Sequence, residues 1–166
     1  MRISLPIALA GAALFSVVSP VLAAPQLKGV YSISGTQMCQ APLGKTGGDI
    51  EHQMGSAVFT ATSATESTMK LTLKDQWGSS VSNAGSIVVN TVTVDGTATI
   101  SGTANPYGIT LKMKVGSQTF TTTGFALLDL DGATNGIARR AVIQSTSSNG
   151  QMNGINCTTQ MMLFHR

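Results

Sequence analysis

The two cysteines, Cys39 and Cys157, are the first residues whose type could support chemistry, and neither belongs to a CxxC motif. A metal site or a catalytic thiol would need partners close by, and the one histidine near either cysteine in the sequence is His165. In a chain that leaves the reducing cytoplasm, an isolated pair of cysteines is most simply a disulfide. We therefore predict a Cys39–Cys157 bridge.

Other residues that could do chemistry form two small groups of acids. His52 lies beside Asp49 and Glu51 and could bind a divalent cation with them, although a solvated polar loop is the favoured interpretation. Asp129 and Asp131 flank Leu130, but a glycosidase would also need an aromatic-lined cleft, and aromatic residues make up 5% of the chain. No GxSxG motif marks a nucleophilic serine. We assign no catalytic residue, no metal ligand and no cofactor, and we expect a protein that is not an enzyme.

The charge of the chain argues against a nucleic-acid partner. Ten Lys and Arg residues stand against seven Asp and Glu residues, for a formal net charge of +3. This excess is too small to indicate binding to nucleic acid. Four lysines at alternate positions could form a basic patch or simply cover solvated strand faces: Lys70, Lys74, Lys112 and Lys114.

The first 23 residues have the pattern of a secretory signal peptide. Arg2 precedes an uncharged apolar stretch, and Val21-Leu22-Ala23 supplies small residues for cleavage. We predict a signal peptide at residues 1–23 and a single β-barrel domain at residues 24–166, with no transmembrane segment in the mature chain. The predicted location is the periplasm or the extracellular space.

The elements that must position these residues are β-strands, because apolar residues recur with a period of two. Met69, Leu71 and Leu73 alternate with polar residues, and the segment Ile109–Val115 repeats the pattern. Further strands are predicted at Val30–Ser34, Ala57–Ser63, Ser86–Val94, Thr97–Gly102, Gln118–Thr123, Gly124–Leu130, Ile137–Thr146 and Ile155–Phe164. Residues 41–55 and 75–86 lack apolar alternation and are predicted as long loops.

Turn signals between these strands predict an antiparallel meander. Asp95-Gly96 is the strongest hairpin signal, and Asn105-Pro106-Tyr107-Gly108 marks another reversal. We predict an all-β fold, a single antiparallel β-barrel of roughly eight to ten short strands. A two-sheet β-sandwich is the alternative.

Arg139 and Arg140 interrupt the strand GIARRAVIQ. Because neighbouring side chains on a strand point to opposite faces, alternation sends one of the two arginines inward. A buried arginine needs a carboxylate, carbonyl groups or an aromatic face as its partner.

This combination resembles the lipocalin and calycin group of small secreted barrels. Those proteins often begin the first strand with glycine, any residue and tryptophan, and Gly29-Val30-Tyr31 occupies that position here with tyrosine. Many members set a late-strand arginine over that ring, as Arg139 or Arg140 could, and tie an end strand with a disulfide. The resemblance implies small-ligand binding inside the barrel.

The predicted function is an exported, non-enzymatic binding protein that holds a small apolar ligand in the barrel or binds a protein partner. The ligand-binding residues are not assigned from the sequence. The alternative is a cell-surface structural or adhesion-type subunit built as a β-sandwich, which the Thr-, Ser-, Gly- and Ala-rich composition would also suit.

Overall fold

The structure, a computed structural model, describes residues 25–40, 48–79, 88–130, 136–147 and 156–166. The predicted signal peptide lies outside these residues. Within them, no helix is long and apolar enough to cross a membrane. The described chain forms eight strands: β1 (Gly29–Gln40), β2 (Gly48–Ala61), β3 (Glu66–Ser79), β4 (Val88–Ser101), β5 (Tyr107–Val115), β6 (Gln118–Leu130), β7 (Ala138–Ser147) and β8 (Cys157–His165).

The eight strands form one closed antiparallel barrel in sequence order, which confirms the predicted fold class. Each strand pairs with the next, and β8 returns to pair with β1, from Tyr31 opposite His165 to Cys39 opposite Cys157. The alternative of two separate sheets is therefore wrong. Closure gives each of the eight described strands a partner on both sides, which removes the two free edge strands of an open sheet.

Two predicted breaks between strands are wrong, one at Asp95-Gly96 and one between Thr123 and Gly124. Glycine is the reason in both cases. Asp95-Gly96 is not a hairpin but lies within β4, where Gly96 pairs with Met113 of β5. A Cβ atom on Gly96 would collide with the carbonyl oxygen of Lys112, and one on Gly124, within β6, would collide with that of Gln144. These glycines allow close approach of neighbouring backbones.

The two predicted long loops are partly strand. Strand β2 already begins at Gly48, and β3 continues to Ser79, so only residues 41–47 and 80–86 of the predicted loops lie outside the described residues. The extra strand residues are paired in register, with Gln53 opposite Asp75. The sequence pattern missed these residues because their inward side chains are polar.

One end of the barrel, where β1 begins, is filled with apolar side chains, and we call it the closed end. Leu27 and Tyr31 are fully buried there. The segment before β1 crosses this end: the backbone N–H of Gln26 donates to the carbonyl of Gly136 at 2.7 Å, and the Ser67 hydroxyl donates to the carbonyl of Leu27 at 2.6 Å. The rest of this core is contributed by all eight strands, including Phe59, Met69, Ile100, Tyr107, Leu128, Ala138 and Leu163.

The expectation that one of Arg139 and Arg140 points inward is wrong. Both side chains are exposed, between the buried Ala138 and Ala141. The register shifts between Asp129 and Leu130 of β6, which pair with Arg140 and Ala138, respectively. This bulge places one extra residue on β7 and so turns two successive side chains to the same face.

The outer surface differs between the two sides of the barrel. On β3 and β5 the four lysines Lys70, Lys74, Lys112 and Lys114 are all exposed. Asp95 of β4 pairs with Lys70 on one side and with Lys114 on the other, which places a carboxylate between two of these cations. On β6, β7 and β8, apolar residues point outward, among them Phe125, Leu127, Val142, Met162 and Phe164.

Candidate ligand-binding site

A cavity of about 280 Å³ occupies the other half of the barrel. It lies towards the end that carries the Cys39–Cys157 bridge, which we call the disulfide end, and it is partly enclosed. Side chains from all eight strands line it: Gln37, Glu51, Gln53, Leu71, Leu73, Asp75, Val92, Val94, Met113, Val115, Gln118, Phe120, Thr122, Ser145, Ser147, Cys157, Thr159 and Met161. The barrel is thus packed at one end and hollow at the other.

Apolar side chains form one part of the cavity wall. Leu71, Leu73 and Val94 come from β3 and β4, where the period-two pattern turns them inward. Met161 of β8 and Phe120 of β6 add to this wall and are also buried. These residues favour the apolar part of a ligand, because its burial removes hydrocarbon surface from water.

A chain of polar side chains lines the wall formed by β1, β2 and β3. Asp75 accepts a hydrogen bond from the side chain of Gln53, its partner across the β2–β3 ladder. The Gln53 amide lies 3.5 Å from the side-chain oxygen of Gln37, which also accepts from the Thr159 hydroxyl at 3.4 Å. Glu51 lines the cavity on the same wall. Two carboxyl groups therefore face the interior on neighbouring strands.

Three buried polar atoms in the cavity wall have no hydrogen-bond partner among the described residues: Asp75 Oδ1, Thr122 Oγ1 and Ser145 Oγ. Thr122 and Ser145 come from β6 and β7, whereas Asp75 comes from β3. In a ring of eight strands β3 and β7 lie on opposite sides. Because buried polar groups are normally paired, three such atoms around one cavity are groups that a bound molecule could satisfy.

Burial raises the pKa of the Asp75 carboxyl above its ordinary value, and the hydrogen bond from Gln53 opposes this shift without cancelling it. The carboxylate is therefore held in surroundings that do not fully compensate its charge. A group on a ligand that donates a hydrogen bond or carries a positive charge would stabilise it.

The disulfide predicted from the sequence forms between Cys39 and Cys157 and closes the seam between β1 and β8 at the cavity. Cys157 is buried and lines the cavity wall. Its backbone N–H donates to the Ser147 hydroxyl at 2.9 Å, which attaches the start of β8 to the end of β7. The bridge thus joins β1 to β8 beside the cavity and leaves no free thiol there.

Tyr31 lies outside the cavity, in the closed end. Its hydroxyl donates to the carbonyl of Ala138 at 2.7 Å and accepts from the backbone N–H of Lys28 at 3.3 Å. The ring meets Phe59 and His165 edge-on, with centroid separations of 5.5 and 5.0 Å. The Tyr31 ring therefore contacts Phe59 and His165. Arg140, one of the two arginines considered as its partner, lies on the outer face, with its Nε 3.7 Å from Asp129 Oδ2.

The other candidate residues do not converge. His52 is exposed on β2 whereas its neighbour Glu51 lines the cavity, so the two cannot share a cation site with Asp49, whose side chain is outside the described residues. No group of three potential ligands comes together as a metal site within the described residues. Asp131 lies outside them, and Asp129 is exposed beside Arg140.

Sequence reasoning missed Glu51, Gln53 and Asp75 as cavity residues because they lie in the two segments predicted as loops. A signal was present: Glu51 and Gln53 alternate with Ile50, His52 and Met54, which has the period of a strand. The phase is inverted, with polar residues inward and apolar Ile50 and Met54 exposed. A search for apolar inward residues alone overlooks such a strand.

The sequence matches no protein-family model and no curated protein. The candidate site therefore rests on the geometry of the barrel and on the chemistry of its lining.

Proposed function

We propose that this chain is an exported, non-enzymatic binding protein that carries a small, largely apolar ligand in the hollow half of its barrel. The observation that supports this most directly is the cavity of about 280 Å³ beside a fully packed closed end. Protein interiors are normally close-packed, and an unfilled cavity costs stability. A barrel with a purely structural role would gain stability from larger side chains at these positions.

Binding is favoured over catalysis by the composition of the cavity wall. Glu51 and Asp75 lie on neighbouring strands and could in principle act as an acid and a base. Sugar hydrolysis by two carboxylates also requires an aromatic-lined cleft, and Phe120 is the one aromatic side chain among the described lining residues. Most of the remaining wall is aliphatic or carries neutral hydroxyl and amide groups, which suits a carrier.

The lipocalin-like assignment and export from the cytoplasm are part of this proposal. Eight antiparallel strands in sequence order, with Gly29-Val30-Tyr31 opening β1, support a lipocalin-like barrel. The Cys39–Cys157 bridge supports a protein that works in an oxidising compartment such as the periplasm or the extracellular space.

Ligand carriage can be tested by native mass spectrometry of the purified protein and by thermal shifts with small apolar compounds such as toluene. We expect bound mass or a rise in melting temperature. In a Val92→Phe variant the added ring enters the cavity, so toluene should no longer stabilise the protein. Thr93→Phe is the matched control, because Thr93 is the exposed neighbour on the same strand. Absence of bound mass and of any shift in the wild-type protein would overturn the proposal.

A further inference from the structure

The cavity has a distinctive charge distribution. Its described lining residues include two carboxyl groups, Glu51 and Asp75, and no lysine, arginine or histidine. The lysines of β3 and β5 are on the outer surface. A negatively charged ligand would therefore meet like charge inside the cavity and no cation from its described wall.

Asp75 is the carboxyl group with an unused acceptor. Gln53 donates one hydrogen bond to it, whereas Oδ1 is buried without a partner among the described residues. An acceptor that loses its water on ligand entry without gaining a donor weakens binding. The ligand that fits this position presents an N–H donor, and a positive charge on that donor adds a charge-assisted hydrogen bond.

The opposite wall is neutral. Thr122 and Ser145 are nearly fully buried, and their hydroxyl oxygens face no partner among the described residues. A hydroxyl can donate or accept, so these two groups accept a second polar function without requiring a charge. The aliphatic residues Leu73 and Val94 belong to the same lining.

We propose that the ligand is a small amphiphilic amine, whose protonated nitrogen binds the Asp75 carboxylate while its apolar part packs against Leu73, Val94 and Met161. This inference rests on the proposed function, since it identifies the ligand class of the same cavity. The volume of about 280 Å³ lies near the lower end of the range of about 300 to 1,000 Å³ that small-molecule sites span. The site is therefore sized for a compact amine.

A charge series on one carbon skeleton tests the proposal. The probes are 2-phenylethylamine, 2-phenylethanol and phenylacetate, with affinities measured by calorimetry on the full mature chain at neutral pH. We expect the amine to bind about tenfold to a hundredfold more tightly than the alcohol, the range of a hydrogen bond to a charged group. Phenylacetate should bind most weakly, because it meets Asp75 and Glu51.

Two substitutions locate the effect. Asp75→Asn removes the charge with little change in volume and should lower affinity for the amine at least tenfold towards that for the alcohol, leaving affinity for the alcohol unchanged. Asp129→Asn is the control, since it removes one negative charge from the exposed outer face. Stabilisation of each variant by toluene verifies that its cavity is intact.

The outcomes separate this inference from the proposed function. If toluene binds but the amine is no tighter than the alcohol, or the acid is tightest, the cavity is a carrier site and the amine assignment is wrong. If neither toluene nor any probe binds the wild-type protein, both proposals fail. Equal loss of amine affinity in Asp75→Asn and Asp129→Asn would also overturn the role of Asp75.

Discussion

Cys39 and Cys157 form the last pair of the ladder between β1 and β8, and a disulfide joins them across a sequence separation of 118 residues. The bridge fixes the strand pair that closes the barrel, directly beside the cavity. Because these two strands are the first and the last described, their pairing joins the two ends of the described sheet.

Removal of this bridge should destabilise the barrel. For the double variant Cys39→Ser, Cys157→Ser we expect the free energy of unfolding to fall by up to about 4 to 5 kcal/mol, the loop-closure contribution for more than 100 residues. Urea unfolding with and without reductant measures it. In the wild-type protein neither cysteine should react with a maleimide before reduction. Quantitative labelling of both in the unreduced native protein would contradict the bridge.

Tyr31→Phe should destabilise the closed end by about 1 to 2 kcal/mol, because it leaves the buried carbonyl of Ala138 without its hydroxyl donor. The phenyl ring keeps the contacts to Phe59 and His165, so the fold should be retained. Urea unfolding at neutral pH measures the loss. Equal stability of the two proteins would show that the hydroxyl contributes nothing.

The same residue predicts the behaviour of the protein at alkaline pH. Burial raises the pKa of Tyr31 above its ordinary value of 10.0, while the hydrogen bond with Lys28 partly opposes the shift. The stability associated with the neutral hydroxyl is present below pH 10.0 and is lost as the pH rises from there through the pKa of the folded state. The stability difference between wild type and Tyr31→Phe should therefore shrink in this range. A constant difference would contradict the prediction.

Asp75→Asn should raise the stability of the ligand-free protein at neutral pH. Burial raises the pKa of the Asp75 carboxyl above its ordinary value of 3.8, so the folded state disfavours the charged form. The contribution of Asp75 to the free energy of unfolding is fully present below pH 3.8. It is lost as the pH rises from there through the folded-state pKa of this carboxyl, so the wild type becomes less stable. The advantage of the variant should therefore appear with rising pH. Denaturant unfolding from acid to neutral pH measures it.

Asp129→Asn is the control for this pH series, because Asp129 is an exposed carboxylate whose partner, Arg140, is also exposed. It should not reproduce the growing difference. A stability difference for Asp75→Asn that is independent of pH would contradict the assigned environment of Asp75.

Gly96→Ala should destabilise the barrel by about 1 to 3 kcal/mol, the usual cost of forcing extra volume into a packed structure. The new methyl group would collide with the backbone carbonyl of Lys112 on β5, which cannot rotate away as a side chain could. Thr93→Ala, on an exposed position of the same strand, is the control and should change stability far less. Thermal unfolding compares the two. Similar melting temperatures would show that β4 and β5 do not approach closely at Gly96.

Some of this architecture was predictable from the sequence. The period-two pattern of Met69, Leu71 and Leu73 gives both the strand and its inward face, because burial of one sheet face selects alternating apolar residues. The Cys39–Cys157 bridge was predictable because the chain, which is predicted to be exported, has two cysteines and no CxxC motif, so each cysteine has the other as its disulfide partner. The all-β class and the antiparallel meander followed from such local patterns.

What only the tertiary structure decided depends on contacts between distant strands. Whether Gly96 marks a turn or a close approach depends on the neighbouring strand β5, and the local Asp-Gly signal cannot distinguish them. The bulge at β7 turns both Arg139 and Arg140 outward through its pairing with β6. Glu51, Gln53 and Asp75 became cavity residues because the barrel closes around them. Alternation gives the period of a strand, but closure of the sheet determines which face is inside and which part of the interior remains unfilled.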